Sequence, residues 1–67
     1  MKLEELKGIE RDILTSCSTH NGLTAHGCWL MGLLYQVFRG ETPEVPIEER
    51  GLQFFGLKRY IRFMPED

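Results

Sequence analysis

Apolar residues at the start of the chain recur every three or four positions. Leu3, Leu6, Ile9, Ile13, Leu14 and Cys17 keep that rhythm, while Glu4, Glu5, Lys7, Glu10, Arg11 and Asp12 fill the other face. A period near 3.6 predicts an amphipathic helix over residues 3–18 with one buried stripe. Glu4 and Glu5 lie in its first turn, where the helix dipole favours acids. Ser16, Ser18, Thr19, His20, Asn21 and Gly22 end it, and Asn21-Gly22 is a turn signal. A second helix is predicted from about Thr24, a natural N-cap, to Phe38. Trp29, Leu30, Met31, Leu33, Leu34, Tyr35, Val37 and Phe38 leave it almost no polar face, so it is central or covered on a second side. Gly27 and Gly32 inside it are expected to permit close approach of a neighbouring backbone. Arg39-Gly40 supplies a C-terminal stop.

Residues 41–46 read as a loop restricted by Pro43 and Pro46, with Pro46 suited to open a third helix. Ile47, Phe54, Leu57, Ile61 and Met64 fall on a helical stripe, widened by Leu52 and Phe55. Gly56 offers an alternative end, after which residues 57–63 alternate as a strand does. Continued helix to about residue 62 is the preferred reading. The expected fold is therefore all-α: a single three-helix, helix-turn-helix-like domain over residues 1–67, with a short C-terminal strand as the variant. The third helix is expected to pack across the first two with a basic outer face.

Composition narrows the function. The chain has 67 residues, with 42% hydrophobic and 27% charged residues and a formal net charge of −2. That is a globular composition, too short for a two-domain enzyme or a nucleotide-binding βαβ fold. A domain of this size buries only about 60% of its unfolded surface, so a partner, a metal or self-association is an expected source of stability. The charged, amphipathic start has no apolar leader core, and the nearly apolar run from Gly27 to Phe38 is short of the roughly 20 residues that span a bilayer. With two cysteines, the expectation is a reduced, cytoplasmic chain without membrane contact.

Residues 13–25, Ile-Leu-Thr-Ser-Cys-Ser-Thr-His-Asn-Gly-Leu-Thr-Ala, resemble the first helix and turn of a winged-helix or helix-turn-helix domain. Residues 48–62, Glu-Glu-Arg-Gly-Leu-Gln-Phe-Phe-Gly-Leu-Lys-Arg-Tyr-Ile-Arg, are similar to a helix in the nitrogen permease regulator family. The winged-helix modules of those larger proteins hold a regulatory complex together and do not read DNA, so the resemblance implies protein binding. The chain departs from a DNA-reading winged helix in its acidic, glycine-interrupted third segment and in the few residues left for a wing after residue 64.

Four candidate chemistries remain. Cys17, His20, His26 and Cys28 lie within twelve residues and offer ligand types that zinc accepts. Their spacing is not that of a finger, and the plainer reading is two small core cysteines and two surface histidines; no metal or other cofactor is expected. A Cys/His nucleophile lacks an orienting third group, so no enzyme activity is expected. Arg50, Lys58, Arg59, Tyr60 and Arg62 form a basic stretch without an acid that is able to contact phosphates, and the net charge opposes that role. Trp29, Tyr35, Phe38 and Phe55 belong to residue types enriched at interfaces. The leading expectation is a small adaptor, self-assembling or bound to a protein partner through these side chains, with Arg59 and Arg62 orienting it. The alternative is a small nucleic-acid-binding regulator that uses residues 50–62.

Overall fold

The computed structural model describes residues 1–65, apart from the side chain of Arg50. The first helix, α1, runs from Leu3 to Ser16 and buries Leu6, Ile9 and Ile13. It stops two residues before the predicted end. There the chain enters a two-stranded antiparallel hairpin, β1 (Ser18–Thr19) with β2 (Gly22–Leu23). Gly22 takes the positive φ of this turn, +116°, and Asn21 keeps a negative one. The hairpin is closed by the Thr24 amide donating to the Cys17 carbonyl at 2.8 Å.

The second helix, α2 (Ala25–Phe38), begins as predicted. The Thr24 hydroxyl accepts a 3.0 Å bond from the Gly27 amide, which satisfies one of the unpaired donors of the first turn. It ends in a Schellman arrangement: Gly40 donates to Val37 and Glu41 donates to Gln36. The two helices run antiparallel. The first contact pairs Cys17 with Gly27 and the second pairs Glu10 with Tyr35, so one helix is read backwards as the other advances. Gly27 makes this approach possible, because a Cβ there would lie 2.7 Å from the Cys17 carbonyl oxygen. Gly32 has no such role and faces open space.

The third segment overturns the all-α expectation. The predicted loop at 41–46 ends in a strand, β3 (Glu44–Pro46), and in place of one helix from Pro46 to about residue 62 there are three pieces: a 3-10 helix (Ile47–Gly51), a single-turn α3 (Phe55–Lys58) and β4 (Arg62–Met64). β3 and β4 pair in parallel, Glu44 with Arg62, Val45 with Phe63 and Pro46 with Met64. The fold is mixed α/β. Burial explains the interruption. Leu52 and Leu57 are both buried, yet five residues along one helix place them about 140° apart. The extended link at residues 52–54 lets both reach the core. Gly51 and Gly56 make an uninterrupted helix costlier by about 1 kcal/mol each. Parallel strands need a connection of about a dozen residues or more, and residues 47–61 supply it. The expected helix with a basic outer face is thus replaced by a 3-10 helix, an extended link, one α-helical turn and a strand.

Leu6, Ile9 and Ile13 of α1, Leu30, Leu34 and Val37 of α2, and Val45, Leu52, Leu57 and Ile61 of the third segment all belong to one core cluster. Gly56 brings α3 against α1, where a Cβ would lie 3.1 Å from Ile9 Cδ1. Among the described residues no helix is long and apolar enough to cross a membrane.

Candidate interaction surface

The core takes one side of the α1–α2 pair and α3 takes the flank of α1 that carries Glu5 and Ile9. No other element among the described residues covers the opposite flank. On α1 it carries Leu3, Lys7, Glu10 and Leu14, at steps of four, three and four, which share one helical face. Leu3 is 54% and Leu14 45% exposed, so neither joins the buried stripe to which the sequence assigned them. On α2 the same flank carries Met31, Tyr35 and Phe38, at steps of four and three; Tyr35 and Phe38 are exposed. The Tyr35 hydroxyl donates to the Glu10 carboxylate and ties the two halves together. That bond is the main reason the Tyr35 phenol lies above its ordinary pKa. Slight desolvation and the negative charge of Glu10 push the same way.

The expected partner residues fall into separate groups. Tyr35 and Phe38 lie on this flank. Trp29 is half-buried, its ring 5.5 Å from that of His26. It lines a shallow groove of about 460 Å³ along α2 with Cys28, Gly32, Tyr35 and Arg39. Phe55 is 77% exposed but sits on α3, around the far side of α1, with the Lys58 ammonium 5.4 Å from its ring centre. That is cation–π range.

Arg59, Tyr60 and Arg62 line a different hollow of about 370 Å³ with Met1, Val37, Glu41 and Thr42. Its charge is mixed. Tyr60 donates to the Glu5 carboxylate at 2.8 Å, which raises its phenol pKa, with burial and the Glu5 charge adding and Arg59 opposing. Arg62 pairs with Glu44 at 3.5 Å across the parallel strands, and Arg39 pairs with Glu41 at 3.0 Å at the rim. The stretch that reads as purely basic in sequence is therefore interleaved with carboxylates from three other segments. The Arg50 side chain lies outside the described residues.

The Cys/His set is scattered by burial. Cys17 is a buried thiol at the end of α1 and Cys28 an exposed one on α2. His20 is in the hairpin turn and His26 sits beside Trp29. Among the described residues no three His, Cys, Asp or Glu side chains gather in a metal-holding group.

The uncovered flank was legible only in part. Tyr35 and Phe38 were singled out by residue type. Leu3 and Leu14 were not, although their four-three-four spacing with Lys7 and Glu10 separates them from the stripe of Leu6, Ile9 and Ile13 by roughly 90° of helix. Comparison with protein families, curated proteins and solved structures finds no match for this chain.

Proposed function

We propose that this chain is a small non-enzymatic protein-interaction module that works through the uncovered flank of its α1–α2 pair. The observation that carries the reading is the exposure of Leu3, Leu14, Tyr35 and Phe38 on one flank of two packed helices. Scattered surface leucines need no explanation, whereas four large apolar groups gathered on one flank around a charged centre are a candidate docking surface. Tyr and Phe supply contact area at low entropic cost. Glu10 and Lys7, set between the apolar groups, give the surface direction.

The mixed charge around Arg59 and Arg62 argues against nucleic acid as the partner. A phosphate backbone approaching Arg59 and Arg62 also meets Glu41 and Glu44, whose carboxylates repel it.

The test is a photoreactive phenylalanine analogue in place of Phe38, with the same analogue in place of Phe55 as a control. Protein adducts from position 38 that Leu14→Asp abolishes support the reading. No protein adduct from position 38 overturns it, and salt-dependent binding of a DNA duplex then favours the nucleic-acid alternative.

A further inference from the structure

The four residues on the α1 part of the flank form a palindrome in character. Reading forward, they run apolar, cation, anion, apolar: Leu3, Lys7, Glu10, Leu14. A second α1 laid antiparallel across the first about the midpoint between Gly8 and Ile9 sets Leu3 opposite Leu14 and Lys7 opposite Glu10. Both pairings occur twice, once on each side of the axis. A two-fold interface demands this arrangement, since residue i must meet residue j while j meets i.

We propose that the occupant of the flank is a second copy of this chain, docked α1 against α1 about a two-fold axis. The inference rests on the protein-interaction reading and names its partner. Each copy offers a cation where the other offers an anion. Lys7 is exposed, and neither ion pair among the described residues uses it or Glu10. Glu10 is held in place by Tyr35, so one end of each intermolecular pair is preorganised. Leu3 and Leu14, about 16 Å apart along the helix, supply apolar contact at both ends of the charged centre. Tyr35 and Phe38 widen the surface on α2, and the assembly is a four-helix arrangement of two hairpins. The lower end of stable interfaces takes about 600 Å² from each partner. That is roughly an eighth of the 4684 Å² surface of this chain.

Sedimentation velocity at neutral pH, with circular dichroism as a check on helix content, tests the register. The expected result for the unaltered chain at about 100 μM is a dimer. Lys7→Glu sets like charges against each other at two symmetric places and is expected to weaken the dimer about tenfold or more. Glu10→Lys does the same. An equimolar mixture of the two variants puts Glu at positions 7 and 10 of one copy against Lys at both positions of the other. The mixture is expected to recover the dimer as a heterodimer. Lys7 is exposed, so Lys7→Glu keeps its helix content; Lys7→Gln, which removes attraction without adding repulsion, is expected to fall between. A mixture that stays monomeric, or a dimer indifferent to Lys7→Glu, overturns the inference. A monomeric unaltered chain that still crosslinks from position 38 to a different protein overturns the second copy and keeps the interaction reading. A monomer without adducts overturns both.

Discussion

Gly27 and Gly32 lie five residues apart on one helix, yet a methyl group added to each has opposite consequences. At Gly27 the new Cβ meets the Cys17 carbonyl oxygen at 2.7 Å and the Cys17 Cβ at 2.9 Å. Backbone atoms there have no room to yield, so Gly27→Ala is expected to cost about 1–3 kcal/mol through overpacking. At Gly32 nothing lies within 4 Å. Gly32→Ala is expected to stabilise by up to about 1 kcal/mol, the helix-propensity difference. Thermal unfolding followed by circular dichroism separates them, at about 4–8 °C for each kcal/mol in a domain of this size. Two variants that shift the same way would contradict the close approach. The tyrosines give a second residue-scale signature. Tyr35 and Tyr60 each donate to a carboxylate, and each phenol is raised above its ordinary value of about 10. A raised folded pKa means that the folded state holds the proton more tightly. The contribution to stability is fully present below the unfolded value and is lost as pH climbs through the folded one. Phenolate absorbance is expected to rise at higher pH in the native chain than in the same chain in denaturant. Coincident midpoints would sink both hydrogen bonds.

Elements built from neighbouring residues were legible in the sequence, and those built from distant ones were not. The helical period of α1, though not the place of Leu3 and Leu14 in its buried stripe, and the cap, body and Gly40 stop of α2 are local properties that the structure keeps. Thr24 is a clear instance: its hydroxyl accepts from the Gly27 amide, and Thr24→Ala is expected to cost about 1 kcal/mol while Thr24→Ser retains most of it. Chemical denaturation of the three chains checks this, and equal stability of all three would show that the cap contributes nothing. The third segment obeys another constraint. Val45 is buried beside Phe63, its partner on a strand eighteen positions later. No window of helical period contains that pairing, so the stripe of Ile47, Phe54, Leu57, Ile61 and Met64 described a helix that tertiary burial forbids. The candidate site divides the same way. Tyr35 and Phe38 are interface types on a readable helix. The Tyr35–Glu10 bond that joins them to α1 spans twenty-five positions, and without it Leu3 and Leu14 look like two more core leucines.

At the scale of the whole molecule, 67 residues are few for a core of this breadth, and burial alone leaves a margin of only a few kcal/mol. A second copy that binds the folded chain and not the unfolded one adds to that margin by mass action. Stability then depends on protein concentration. When two chains unfold together, a tenfold rise in concentration favours the folded dimer by about 1.4 kcal/mol, or about 0.7 kcal/mol per chain. At 4–8 °C for each kcal/mol this is roughly 3–6 °C in Tm. The unaltered chain is expected to show that slope above its dissociation constant. Lys7→Glu, an exposed substitution far from the core, is expected to flatten the slope without changing the helix signal, and the equimolar mixture with Glu10→Lys is expected to restore it. A local loss of stability at position 7 would lower Tm equally at every concentration and would leave the slope intact. The slope therefore reports the partner and the intercept reports the fold, and a flat line for the unaltered chain across an about hundredfold range rules out the second copy.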